Sequence, residues 1–274
     1  MSNQPKILVV GNKKGGAGKT TVSIHMAGIL KRYGAKVLLI DQDTQRSSGD
    51  AHKLRGKLVG THTFDYQYDP TPLEREAVLE KGAGYDFVIV DTPPGTAEAE
   101  GGKTVIRPET LNSFTAADLV VIPTQMDRTD IQSVYNYMTI CANHLARLKA
   151  RSVGPERKAI VVPNCLNTNW SYKDERRIIE KAVATADVDR GVMSLASVPI
   201  LQYRQYSKTQ WVGKTAADLD HDRARYLFEK TVYEDILAEL EVVDPRPKKE
   251  VKLANQYYSQ TIVRIYGGAG AHVA

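Results

Sequence analysis

The chain has 274 residues, with 37 lysines and arginines against 32 aspartates and glutamates, a formal net charge of +5. Charged residues at 25% and hydrophobic ones at 42% exclude a disordered or fibrous chain, and the basic balance points to an anionic partner without amounting to a polybasic tail. Cys141 and Cys165 fit no C-x-x-C spacing, no signal-peptide pattern precedes Lys6, and no apolar run approaches the ~18 residues that span a bilayer, so a cytoplasmic protein without a disulfide framework is expected.

The first apolar run, residues 7–10, leads through Gly11 into Lys13-Lys14-Gly15-Gly16-Ala17-Gly18-Lys19-Thr20-Thr21. Val22, Met26, Ile29, Leu30 and Tyr33 then recur at helical steps. Strand, glycine-rich loop and helix in that order make a phosphate-binding loop. Glycines let the backbone curl so that successive N–H groups face inward, and the helix N-terminus adds partial positive charge. Gly15, Gly16, Ala17, Gly18, Lys19, Thr20 and Thr21 are therefore assigned to a nucleoside triphosphate. Lys19 would reach the β- and γ-phosphates, and the Thr20 hydroxyl would hold Mg²⁺. The loop departs from G-x-x-x-x-G-K-[ST] in carrying Lys13 where glycine is expected, followed by a second lysine, Lys14.

Further apolar runs at 37–40, 87–90, 119–122 and 159–162 alternate with helical patterns, the signature of a doubly wound, mostly parallel α/β sheet flanked by helices. Residues 50–81 read as a surface loop or short edge element, and 96–109 as an unusually long acidic stretch. A helix is expected after Arg128, with Ile131, Val134, Met138, Cys141, Leu145 and Leu148 on one stripe and a capping box at Thr129 and Gln132. Another is expected over 217–240, with Ala224, Phe228, Val232, Ile236 and Leu240 spaced by four. Pro245 and Pro247 break it, which divides the chain into a P-loop domain, residues 1–244, and a C-terminal appendage, 245–274. Within the appendage, residues 261–266 have strand composition, fit for an added edge strand, a partner contact or a frayed terminus.

Lys14-Gly15-Gly16-Ala17-Gly18-Lys19-Thr20 resembles the loop of the deviant Walker A family, the ParA/MinD superfamily that includes ParA, Soj, MinD, the nitrogenase iron protein and the arsenite pump ATPase. The resemblance runs over roughly residues 6–240 and is most specific in the first hundred. It implies a P-loop ATPase that closes as a homodimer around two ATP and Mg²⁺, with Lys14 reaching the phosphates held by the other subunit. Asp41-Gln42-Asp43-Thr44-Gln45 is similar to the family's D-x-D-P-Q segment, with Thr44 in place of proline. That likeness implies that Asp43 orients the attacking water and that Asp41 supports the metal shell. Asp91, ending the strand before Thr92-Pro93-Pro94-Gly95, resembles the family's Mg²⁺-supporting carboxylate. Asn164 matches an asparagine that hydrogen-bonds adenine, or is a turn residue. Pro199 matches a proline that backs the base, or is a strand-edge proline.

The resemblance covers several branches. A ParA- or Soj-like partition ATPase would bind double-stranded DNA without sequence preference, associate with the nucleoid when ATP-bound, and answer to a ParB-like or cargo adaptor that stimulates slow hydrolysis. The candidate DNA contacts are Arg176, Arg177, Lys181, Arg204, Lys208, Lys214, Arg223 and Arg225. A MinD-like membrane-cycling ATPase would need a C-terminal amphipathic helix, which the prolines and strand composition of the tail argue against, so no membrane partner is expected. A metal-cluster reductase would need cysteines that are not there. A biosynthetic ATP-dependent enzyme on the same fold would show turnover that depends on a small-molecule substrate.

Overall fold

The computed structural model describes residues 4–58, 63–98, 104–125, 131–152, 154–166, 172–201, 206, 208, 212–219 and 222–266. The apolar runs form the strands β1 (Lys6–Val10), β2 (Val37–Asp41), β4 (Phe87–Asp91), β7 (Leu119–Gln125) and β8 (Lys158–Leu166). With β3 (Asp65–Tyr68), β9 (Met193–Leu195) and β10 (Ile200–Leu201) they make one sheet in the order β10-β8-β7-β1-β4-β2-β3, β9 also pairing with β8. Every pairing in it is parallel.

Parallel strands covered on both faces read as continuous apolar runs, and the side-chain period of two sorts them into two cores. Leu8, Val10, Leu39, Ile89, Val121 and Ile160 face one way, against Val22, Met26 and Ile29 of α1 (Lys19–Arg32) and Phe228 of α7 (Arg223–Lys230). Ile7, Val9, Leu38, Val88 and Val120 face the other way, against Phe114 of α4 (Pro108–Ala116), Met138 and Cys141 of α5 (Ile131–Ala150) and Ile179 of α6 (Tyr172–Ala186). The loops after β1, β2, β4, β7 and β8 thus gather at one edge, where ligands of such sheets bind.

Several elements differ from the sequence expectation. Residues 50–81 hold the edge strand β3 but also α2 (Ser47–Arg55) and α3 (Arg75–Lys81). Within the acidic stretch, β5 (Thr96–Glu98) and β6 (Thr104–Ile106) pair antiparallel outside the main sheet, and α4 begins at its end. The helix after Arg128 is α5, with Val134, Met138, Cys141 and Leu145 buried as expected; Thr129 of the capping box lies outside the described residues.

The late helix is broken. A 3-10 turn (Ala216–Asp218) precedes α7, which runs on into a π-helical turn (Thr231–Ile236) and a 3-10 turn (Ala238–Leu240). The largest correction is in the tail: the residues with strand composition belong to a long helix, α8 (Lys248–Tyr266). Pro247 stands at its start, where its missing N–H costs no helical bond and its fixed φ favours the helix. Ala254 of α8 is fully buried, and Arg223, Arg225 and Lys230 of α7 reach Thr261, Glu250 and Asn255 across the contact.

Candidate functional site: a phosphate-binding loop and its carboxylates

The loop after β1 is built by glycine geometry and held by the side chains of Asn12, just past β1, and of one residue each from β7 and β8. Gly16 and Gly18 take φ of 79° and 90°, left-handed values that only glycine adopts without strain. Asn12, fully buried, donates from Nδ2 to the Pro123 carbonyl at 2.6 Å and accepts the Lys14 N–H on Oδ1 at 3.2 Å. Gln125 Nε2 donates to the Gly16 carbonyl at 2.7 Å, and Asn164 Nδ2 to the Ala17 carbonyl at 2.9 Å. Lys19 is buried at the start of α1 and lays its Nζ on the Lys14 carbonyl at 3.2 Å. Burial lowers its pKa, against the attraction of Asp91 and Asp43. Lys14, in contrast, is exposed.

Opposite the loop stand the strand-end carboxylates. Asp41 and Asp91 are register partners on β2 and β4, both fully buried. Burial pushes the Asp91 carboxyl up to about 6 despite hydrogen bonds from Ser48 and Thr20 and the nearby Lys19 charge. Ser48 Oγ donates to Asp91 Oδ2 at 2.6 Å, whereas Asp91 Oδ1 is buried without a partner. Burial likewise raises Asp41, which accepts the Asp43 N–H at 2.9 Å and the Tyr66 hydroxyl at 3.1 Å. Asp43 is half-buried and accepts the Gln45 N–H at 3.0 Å.

A buried carboxylate oxygen lacking a donor, beside the Thr20 hydroxyl, fits a hard cation that takes oxygen ligands. Mg²⁺ held through phosphates needs only one or two protein oxygens. The described residues hold no group of three His, Cys, Asp or Glu placed to bind a metal by themselves.

Pro199 is buried next to Ile200, whose register partner is Asn164. The basic candidates separate. Arg177, Lys181, Lys208 and Lys214 are exposed. Arg176 pairs with Glu180 at 2.8 Å and reaches the Ala196 and Ser197 carbonyls, while Arg223 holds Thr261 and the Tyr257 carbonyl. Arg225 is 1% exposed, between Glu229 and Glu250, so the structure removes it from the set available to DNA. Arg204 lies outside the described residues. Sequence reading missed Asn12, Ser48, Tyr66 and Gln125. Only Asn12 and Gln125 had a signal, each being the first amide-bearing residue to follow an apolar run.

No helix among the described residues is long and apolar enough to cross a membrane. Residues 8–205 match the family model described as the CobQ/CobB/MinD/ParA nucleotide binding domain. The chromosome-partitioning ATPase Soj of Thermus thermophilus is 31% identical over 174 residues, 53% of this chain and 64% of that protein. Maintenance of carboxysome distribution protein A of Gloeobacter kilaueensis is 35% identical over 123 residues, 45% of this chain and 50% of that protein. The matched segments thus span about half to two thirds of these relatives' lengths. Among solved structures, a complex of a Cyanothece McdA variant with ATP superposes with a TM-score of 0.59 at 18% identity, over 88% of this chain and 98% of that one, which shows a shared fold.

Proposed function

The chain belongs to the CobQ/CobB/MinD/ParA nucleotide-binding domain family, and from that premise we propose that it is a Mg²⁺-dependent ATPase of the ParA and Soj kind. In this reading it hydrolyses ATP slowly, closes as a homodimer when ATP is bound, and in that state binds double-stranded DNA without sequence preference to position a DNA or other cargo. The observation that carries the reading is the pair of loop lysines. Lys19 is buried in its own loop, while Lys14 on the same loop is exposed and able to meet a second phosphate cluster. The similarity to proteins named for chromosome partitioning and carboxysome distribution supports the positioning role.

Residues 1–244 form the ATPase domain in this reading and 245–274 an appendage, whose helix α8 packs on α7. The roles are divided among the loop and the strand ends. Gly15, Gly16, Ala17, Gly18 and Thr21 present backbone donors to the phosphates, and Lys19 neutralises them. Thr20 and Asp91 would hold Mg²⁺, with Asp41 behind them; when bound, the ion neutralises charge on the phosphate oxygens. Asp43 orients the attacking water, Pro199 backs the base, and a partner protein accelerates turnover. Arg176, Arg177, Lys181, Lys208, Lys214 and Arg223 stay the candidate DNA contacts, with the four exposed ones first. The protein works in the cytoplasm and, when ATP-bound, on the nucleoid.

The deciding experiment is binding of an Asp43→Ala variant to random-sequence duplex DNA with ATP, ADP or no nucleotide, across a salt series. Tight binding with ATP alone, weakening as salt rises, is the expected result. A variant that holds ATP yet ignores DNA at every salt concentration rejects the partition reading. Anionic vesicles in the same assay test the membrane-cycling alternative, which gains from the finding that the tail is a helix.

A further inference from the structure

We propose that Gln125 and Asn164 form an amide clamp that sets the phosphate-binding loop, an inference that rests on the nucleotide-binding reading above. The two residues are register partners at the ends of β7 and β8, so on parallel neighbouring strands their side chains leave the same face. Their amides donate to consecutive carbonyls of the loop, Gly16 O at 2.7 Å and Ala17 O at 2.9 Å.

A trans peptide is planar, and its C=O and N–H point in opposite directions. Holding the Gly16 carbonyl therefore aims the Ala17 N–H, and holding the Ala17 carbonyl aims the Gly18 N–H. These are the backbone donors that a phosphate-binding loop must present before its ligand arrives. The clamp also explains the packing at Gly18, where a Cβ would lie 2.1 Å from Asn164 Nδ2.

Amides suit the task. Only the NH₂ end can face a carbonyl, which fixes the orientation of both side chains. Being neutral, the amides leave the charge at the site to Lys19 and the phosphates. Asn164, 3% exposed, commits one N–H of its Nδ2 to the loop, which makes it a positioning residue for the phosphates; its second N–H and its Oδ1 are the atoms a base contact would use.

The two roles separate in a binding experiment. Calorimetry would compare ATP, GTP and inorganic tripolyphosphate, each with Mg²⁺, on the wild-type chain and on Asn164→Ala, Gln125→Ala and Asn164→Asp. The clamp requires each alanine variant to weaken all three ligands by the same factor, about 3–10-fold for one lost neutral hydrogen bond, leaving the ATP-to-tripolyphosphate ratio unchanged. Asn164→Asp, nearly isosteric but with an acceptor facing a carbonyl, should lose more than Asn164→Ala. Loss of ATP affinity with tripolyphosphate binding intact makes Asn164 a base contact and overturns the clamp, as does unchanged affinity for all three. A wild-type chain that binds none of them overturns the nucleotide reading itself and the clamp with it. Should Asn164→Ala fail to fold, Gln125→Ala, at the half-exposed end of β7, decides the matter alone.

Discussion

At the scale of single residues, burial sets the chemistry. Lys14 and Lys19 are the same side chain on one loop, yet only Lys19 is buried beside carboxylates. Lys19→Ala should abolish ATP binding, read by calorimetry. Lys14→Ala should spare nucleotide binding by the monomer and lose hydrolysis; a monomer with unimpaired turnover would remove its role across the dimer. His25 of α1 shows the same rule applied to stability. Its Nδ1 accepts the Ala216 N–H at 2.9 Å, and burial holds its pKa down at about 4. A base whose folded pKa lies below its unfolded value of about 6.5 contributes stability above that pH and loses it as pH falls through the folded pKa, here about 3 kcal/mol in all. Asp41, Asp91 and Glu229, raised by burial, act in the opposite sense, so the measurement is a difference. Unfolding free energies of the wild type and His25→Gln should converge by about 3 kcal/mol between pH 7.5 and pH 4. A gap constant in pH would refute the assignment.

At the scale of elements, the C-terminal quarter shows where pattern reading succeeds and where it stops. Of the expected stripe, Ala224, Phe228, Val232 and Ile236 are buried and Leu240 is partly buried. A strict step of four drifts by about 40° per step on a helix of 3.6 residues per turn, so an unbroken α-helix turns such a stripe off its face. The wider π turn over Thr231–Ile236 keeps the stripe on the core. The tail misled for a related reason: β-branched residues at 261–263 weigh little once α8 has Pro247 at its start and α7 to lie on.

The strands and the loop were legible because a buried parallel strand must be continuously apolar and a phosphate loop needs glycines at fixed places. Ser48 and Tyr66 were not, because only the tertiary fold brings them to Asp91 and Asp41. Arg246 anchors the turn into α8, fully buried, with Nε and Nη2 on Asp244 at 2.9 and 2.7 Å and Nη2 on Glu234 at 2.9 Å. Arg246→Met keeps most of the volume but strands Asp244 and leaves Glu234 to Lys230 alone. Because the two carboxylates are about one-third exposed, the cost should be about 2–3 kcal/mol, below that of a fully buried pair. Urea unfolding would show it, and an unchanged midpoint would mean that α8 is held by other contacts.

At the scale of the whole molecule, the direction of the sheet decides which basic residues share a face with the nucleotide. All main-sheet strands point their carboxyl ends at the loop, so a helix that follows a strand begins at that edge and runs away from it. Arg177 and Lys181 lie in the first two thirds of α6, which follows β8, and both are exposed one turn apart. Lys36, equally exposed, precedes β2 and so stands at the opposite edge. If the ATP-bound form docks DNA on the nucleotide side, replacing Arg177 and Lys181 by glutamate should weaken binding and flatten the dependence of log K on log salt by about 2, near 0.9 for each lost phosphate contact. Lys36→Glu makes a comparable local change in charge and should leave that slope intact. Net charge alone, acting at a distance, would make the effect of every reversal track the charge removed, wherever it sits. A slope that falls for Lys36→Glu by half as much as for the α6 double variant would therefore assign DNA affinity to overall charge and exclude a docking face.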